Sequence, residues 1–454
     1  MMCASARCCG RDVLAHSARG AFGYITHNDD PLVFSTAMSA PSLETVDLLD
    51  HDLFADHEPW EIFDLLQSEA PVYRHPESEG DGFWVITRYD DVLAVVRAPA
   101  TFSSELGGVA TIEALPEDVL DSRRNLLEFD PPKHGRYRRL ISTSFTPGAV
   151  GRYEEWLHTL VSHMLDRVPY GSELDLVHEL AAPIPILVLA QVLGLPDEQL
   201  PRLRELGDRL LVDTDPEIVG QAAFHGERPE DRYKPFGSPW ADELCGLGRQ
   251  HYAERRAHPR DDVLTRIAAA ELDGCPLPQH DLDNMFALLI VAGNETTRQA
   301  IALGTLALAQ NPDEYERLRE DRGLVPSAVE EMFRYSPPVW FFRRTTAADT
   351  EIRGVEIAAS ERVTVWFAAA NRDPDHYPNP HRFDVTRNPA DNLTFGRGGP
   401  HHCLGAHLAR LELRVYLEEL LERVGRIELT GEPRRLRSNF TNGLKRLPIR
   451  FHRG

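Results

Sequence analysis

The sequence predicts a mainly α-helical fold with a small β region, and three observations carry that prediction. Helical periodicity runs almost without break from Val150 to Arg266. A second long helical pattern spans Gln279 to Gln310, and a third, His407 to Val424, sets Leu408, Leu411, Val415, Leu420 and Leu421 on one amphipathic face. Strand-like runs are few and short. In chain order, residues 1–37 mix Gly, Ser, Ala, His and Cys without any period, which predicts a disordered extension ahead of one domain over residues 38–454. Pro59 to Gln67 reads as an amphipathic helix built on Trp60, Phe63, Leu65 and Leu66. Strands are expected at Val72–Arg74 and Gly82–Thr87, a helix at Asp90–Arg97, and further strands of the same sheet at Val355–Ile357 and Arg362–Phe367. Glu105 to Asp130 is loop-rich, with Gly107-Gly108 at its start, and Pro131-Pro132 punctuate the helix that follows. The charge-, Gly- and Pro-rich stretch His225 to Pro239 reads as a linker between two helices.

Composition bounds the function. Hydrophobic residues make up 42% and charged residues 26% of the 454, ordinary for a soluble globular protein. No apolar run approaches the roughly eighteen residues that span a bilayer, and no cleavable leader is recognisable, so the expectation is a cytoplasmic protein without a membrane span. A net charge of −22 argues against a nucleic-acid partner, which needs local basicity. Two basic clusters stand out against it: Arg123, Arg124, Lys133, Arg136, Arg138 and Arg139, then Arg397, His401, His402, His407, Arg410 and Arg414. Six cysteines are too scattered for a disulfide framework, and Cys3, Cys8 and Cys9 lack the second ligand pair of a metal site.

Three stretches carry chemistry. Phe395-Gly396-Arg397-Gly398-Gly399-Pro400-His401-His402-Cys403-Leu404-Gly405-Ala406 places one cysteine in a glycine-rich loop before a helix, whose free N–H groups favour a thiolate; on these residues alone, a buried structural cysteine remains the alternative. Within the Gln279–Gln310 pattern lies a polar island, Ala292-Gly293-Asn294-Glu295-Thr296-Thr297. Mid-helix glycine costs about 1 kcal/mol against alanine, small residues admit a ligand to the backbone, and a threonine hydroxyl can bond the carbonyl four residues earlier. Glu295 and Thr296 together can hold and relay protons, although a kinked core helix with a satisfied glutamate accounts for the same residues. His134 and Arg138, four apart, present two donors on one helix face, as a carboxylate would require. Glu331 and Arg334 form an acid–base pair three apart, and Val339 to Thr345 is apolar then basic, like a strand entering a pocket.

The cysteine loop resembles the haem-binding loop of the cytochrome P450 monooxygenases, with an aromatic, glycines, a basic residue two before the cysteine and a glycine two after. The likeness runs from about residue 45 to the end, with four motifs in order, and is to the soluble bacterial branch. One departure stands out: Phe395 lies eight residues before Cys403, where most of the family has seven, a feature shared with branches acting on steroids, terpenoids and methyl-branched lipids. The resemblance implies the cytochrome P450 fold as a single haem-containing domain. It implies haem b held by Cys403 as the axial thiolate ligand of iron, within a loop formed by Phe395, Gly396, His401 and Gly405, and under Ala292 and Gly293. His134, Arg138, Arg344 and His401 are then the propionate donors, and Glu295 and Thr296 the oxygen-activating pair. Glu331, Arg334 and Arg382 become a buried ion network that steadies the cysteine loop. Substrate contacts are expected from Val109, Ile112, Val291, Val339, Trp340, Phe341 and Phe440, and the linker from His225 is expected to lie in the lid of the substrate channel. The implied function is insertion of one atom of dioxygen into a lipophilic small molecule such as a terpenoid, steroid, fatty acid or secondary metabolite. Electrons would come from a ferredoxin and its NAD(P)H-dependent reductase, and the protein would act as a monomer. A non-catalytic haem-thiolate binder or sensor is the competing class, and the Glu295-Thr296 pair speaks against it.

Overall fold

The computed structural model describes residues 41–78, 80–211, 215–219 and 233–454. The expected extension over residues 1–37, with Cys3, Cys8 and Cys9, and most of the linker beginning at His225 lie outside the described residues. The helices that build the site are α1 (Trp60–Glu69), α2 (Tyr89–Arg97), α3 (Lys133–Ile141), α4 (Glu154–Asp166), α5 (Pro183–Leu193), α6 (Leu200–Leu211), α7 (Ala241–Ala257), α8 (Gln279–Gln310), α9 (Val325–Tyr335) and α10 (Ala406–Arg423). The strands are β1 (Val72–His75), β2 (Phe83–Ile86), β3 (Phe102–Ser103), β4 (Glu173–Asp175), β5 (Phe341–Thr346), β6 (Arg362–Trp366), β7 (Val424–Leu429) and β8 (Pro448–Arg453).

α8 is the axis of the larger core. Pro278 precedes it and Pro312 follows its C-cap, Asn311, which suits the start and stop of a helix. At 32 residues it is about 48 Å long, and buried side chains occupy almost every face. α5, α6 and α7 pack along it, and α10 lies against both α4 and α9.

The β region is a five-stranded sheet in the order β1-β2-β6-β5-β3. β6 runs parallel to β2 and antiparallel to β5, with Val363 opposite Arg344 and Val365 opposite Phe342. Val363, Thr364 and Val365 are fully buried, as expected of a central strand rich in β-branched residues. The strand expected at Val355–Ile357 forms but does not join this sheet. It pairs only with Thr350–Ile352, because Arg353 (φ 51°) and Gly354 (φ 79°) make a two-residue turn that folds the pair into its own hairpin. β7, β8 and β4 form a second, three-stranded sheet.

An ion frame ties α9 to the segment leading into the cysteine loop. Arg334 donates to both oxygens of Glu331, at 2.7 and 2.8 Å, and to the carbonyls of Asn371 and Pro380 at 2.9 Å, with both side chains fully buried. The third member is Arg387 and not Arg382. Arg387 Nε reaches Glu331 Oε1 at 3.4 Å, whereas the Arg382 side chain is 59% exposed and lies 3.7 Å from Glu314; only its backbone carbonyl meets Arg334. The chain turns sharply at Asn379 (φ 51°), which sends Arg382 outward and returns Arg387 to the buried acid.

Candidate active site

In a helix as buried as α8, exposed residues mark a void. Leu289, Ala292, Gly293 and Thr296 are the less-buried positions near its centre, and with Met285, Leu288 and Thr297 they repeat at three and four residues along one face. That face lines a cavity with about 1680 Å³ of space between its walls, part of it open to solvent. Thr296 Oγ1 donates to the Ala292 carbonyl at 2.8 Å, the back-bond expected of a threonine bordering a groove.

Cys403 lines the same cavity, together with Phe395, Gly396, Gly399, His401, Leu404 and Gly405. Its exposed surface faces the cavity interior, deep within the chain. The loop is closed by the Cys403 N–H donating to the Phe395 carbonyl at 2.8 Å, so the residue extra to most of the family is taken up inside this hydrogen-bonded loop. Gly396 (φ 66°) and Gly398 (φ 87°) occupy the left-handed region that favours glycine, and a Cβ at Gly399 would meet the Val96 carbonyl at 2.2 Å. The Phe395 ring packs edge-on against Phe333 at 4.8 Å and carries the Arg410 guanidinium 4.2 Å from its centre. Burial pushes the Cys403 thiol up, against the opposing pull of the Gly405 and Ala406 N–H groups, Arg138 and Arg410. The helix N-terminus thus opposes the effect of burial without outweighing it, and a bound metal cation would ionise a coordinating thiol outright.

Four basic side chains converge on the cavity: His134 and Arg138 from α3, Arg344 from β5 and His401 from the loop. The His134 and His401 rings stand 4.1 Å apart. Burial and then Arg138 lower His134 to about 4, and burial, Arg344, His134 and Arg138 lower His401 to about 2. Burial pulls Arg344 down to about 10, with Asp130 opposing. The hydrogen bond recorded for the Arg344 guanidinium is to its neighbour's carbonyl, Arg343, at 2.7 Å, and His401 Nδ1 has no partner. Buried donors that repel one another and form no ion pair with the nearby Asp130 fit a ligand bearing carboxylates. With a cysteine on the wall and a small-residue groove in α8, this donor set fits haem.

The expected residues divide cleanly. Cys403, Gly405, His401, Gly396, Phe395, His134, Arg138, Arg344, Ala292, Gly293, Thr296, Val109 and Val339 line one cavity. Glu295 does not. It is buried on the other side of α8, ion-paired with Arg298 at 2.8 Å and accepting from Gln299 Nε2 at 2.6 Å, while Arg298 also pairs with Asp208 of α6. One residue is about 100° of helix, enough to turn Glu295 away from the stripe that carries Thr296. Burial raises its carboxyl and Arg298 opposes that rise.

Among the expected substrate contacts, Ile112, Trp340 and Phe341 sit in the core with Phe54, Phe63 and Trp366, and Val291 packs in the main core. Phe440 meets Phe341 and Phe342, each with ring centres 5.6 Å apart, behind the wall. Strand alternation explains the aromatic error. Phe342 and Arg344 share the cavity face of β5, so Phe341 and Arg343 face away, and Arg343 donates to the Glu113 carbonyl at 2.6 Å. Missed lining residues follow the same periods: Leu288, Leu289 and Thr297 from Ala292, Phe342 from Arg344, and Glu412 from Gly405 through Leu408 and Ala409. Glu412 is the acid among the described lining residues; its Oε2 has no partner, and burial raises it well above the carboxylate range.

The family model described as Cytochrome P450 matches residues 241–434. The chain is 37% identical over 414 residues to the linalool 8-monooxygenase of Pseudomonas putida, covering 90% of this chain and 99% of that protein. It is 37% identical over 398 residues to the methyl-branched lipid omega-hydroxylase of Mycobacterium tuberculosis, covering 85% of this chain and 90% of that one. Among solved structures it is similar to a Mycobacterium marinum cytochrome P450 in complex with pseudoionone, with a TM-score of 0.81 and 34% identity over 91% of this chain and 100% of that one.

Proposed function

The chain belongs to the cytochrome P450 family, as a monooxygenase with haem b, and from that premise we propose that it hydroxylates a neutral, methyl-branched lipophile of terpenoid type. Haem supplies the activation of dioxygen, by which one oxygen atom enters the substrate and the other leaves as water. Cys403 is the thiolate that holds its iron, and Arg344, His401, His134 and Arg138 are the donors for its carboxylates. Ala292 and Gly293 leave room against α8. Thr296 Oγ1, its proton committed to the Ala292 carbonyl, offers its lone pairs to a water that brings protons in. Glu295, tied to Arg298, serves as a helix-to-helix strut in this arrangement rather than as a relay reaching into the cavity.

One observation carries the substrate class. Away from the four donors and the buried Glu412, the described cavity wall is made of Val109, Met285, Leu288, Leu289, Val339, Phe342 and similar side chains, with no charged group to seat a carboxylate. The names of the two similar proteins, one for a terpenoid alcohol and one for methyl-branched lipids, support the same class. We assign electron delivery to a separate ferredoxin and reductase. The support is the charged edge of α10, where His407, Arg410 and Arg414 border a shallow groove with Glu330 and Glu154, which pair with the two arginines at 2.5 and 2.7 Å. Leu106 and Tyr233 are the large hydrophobics exposed among the described residues, which supports a monomer; no described helix is long and apolar enough to cross a membrane.

The test is a titration of the haem-loaded protein with linalool, a methyl-branched hydrocarbon and a straight-chain fatty acid, following the change in iron spin state. The expected order has the neutral branched compounds binding and the fatty acid at least tenfold weaker. Equal or tighter binding of the fatty acid would remove this substrate class. Product formation from NADH should require both ferredoxin and reductase.

A further inference from the structure

Hydroxyl groups in an apolar cavity are few and mostly committed. Thr296 Oγ1 donates to the Ala292 carbonyl, and Thr394 Oγ1 donates to the Phe333 carbonyl at 2.8 Å while accepting from Asn371 Nδ2 at 2.8 Å. Thr297 differs. It lines the cavity one residue beyond Thr296, four after Gly293 and eight after Leu289, on the stripe of α8 that forms the wall. It is 4% exposed and lines the cavity, and no hydrogen bond from its hydroxyl to a described residue is recorded. A cavity hydroxyl left unpaired against an apolar ligand is costly, and a ligand bearing one oxygen would remove that cost. A helix-interior threonine would ordinarily bond back to the carbonyl four residues earlier, as Thr296 and Thr305 do, so Thr297, for which no such bond is recorded, is the exception on this helix.

We propose that Thr297 is a specificity-determining residue whose hydroxyl hydrogen-bonds the oxygen of an otherwise apolar substrate, so that the preferred ligand is a branched lipophilic alcohol over the hydrocarbon of the same skeleton. This rests on the neutral-lipophile reading above and adds one polar contact to it. A site built to pair a substrate oxygen discriminates against the analogue that lacks it, because the site's own group is then left unpaired in the dark of the cavity. The contact sits beside Thr296, so it also limits which carbon of the ligand can lie near the oxygen-activating residue.

The experiment uses the haem-loaded protein and its Thr297→Val and Thr297→Ser variants, each first checked for the thiolate-type carbon monoxide spectrum. Linalool and the hydrocarbon of the same skeleton are titrated by spin-state shift. The inference expects wild type to bind the alcohol the more tightly. Thr297→Val should weaken the alcohol several-fold, up to roughly tenfold for one hydrogen bond, while leaving the hydrocarbon within about twofold. Thr297→Ser should keep the preference for the alcohol. Equal changes for both ligands in Thr297→Val, or no change for either, would overturn the role of Thr297 and leave the substrate class standing. If wild type bound neither compound, the neutral-lipophile reading itself would fall, and this inference with it.

Discussion

Two buried arginine clusters in this chain have opposite electrical completions. Arg334 is sealed from solvent with its counter-charge beside it, a bidentate Glu331 whose Oε1 also accepts from the Asp384 N–H at 3.0 Å. Arg344 is equally internal, yet it faces Arg138, His134 and His401 across the cavity, and its recorded hydrogen bond is to the adjacent backbone carbonyl. The first cluster is complete within the polypeptide and holds the fold; the second is complete only when a ligand brings negative charge. Burying a charge without a partner is costly, so a chain that keeps such a cluster has a use for the missing anion.

The comparison can be broken first at its stronger end. Arg334→Ala should cost about 3–5 kcal/mol, because it strands Glu331, and a melt should show the loss with or without haem. Equal stability of this variant and wild type would erase the distinction. Arg344→Ala should behave in the opposite way. The haem-free chain keeps its melting temperature or gains, since an uncompensated guanidinium is removed, while haem affinity falls by roughly 1.5–3 kcal/mol, read as faster transfer of haem to a scavenging protein. The membership of the complete cluster is sharpened by Arg387→Ala, expected to cost about 1–1.5 kcal/mol in a denaturant melt, against Arg382→Ala, expected within about 0.5 kcal/mol.

A further test is in pH. His134 titrates at about 4 in the folded chain against an ordinary 6.5. The unfolded chain therefore takes up its proton first, and haem-free stability, fully present above 6.5, is lost as pH falls towards 4. His134→Asn should reduce that slope, the rest coming from His401, which burial lowers further, and haem, whose carboxylates favour the protonated rings, should reduce it in the wild type.

Much of this was legible before any coordinates. The 279–310 helix appears with those bounds, and the Cys403 loop, His134 with Arg138, and Ala292, Gly293 and Thr296 meet at one cavity. Those features are local: a helical period, a turn residue, a pair of donors one turn apart. Errors fell where a residue's type was read without its face. The resemblance implies pocket contacts from Trp340 and Phe341, but they pack on Phe54, Phe63 and Trp366. Glu295 was assigned to proton delivery for standing beside Thr296, and the helix turns it towards α6. The resemblance assigns the third place in the ion network to Arg382, and the structure gives it to Arg387.

By itself, then, the sequence determined the mainly helical class, the glycine-rich cysteine loop before a helix and the paired donors of the 133–141 helix, because those follow from chemistry within a few residues; the iron and carboxylate roles came with the family resemblance. Only the tertiary structure decided which side of each element meets the cavity, which arginine completes the ion frame and which threonines line the cavity. Each of those depends on neighbours far along the chain: Asp208 and Arg298 lie 90 residues apart, and Trp340 meets Phe54 and Phe63 from the opposite end of the sequence. Local pattern sets what a segment can form, and long-range packing sets what each of its faces is for.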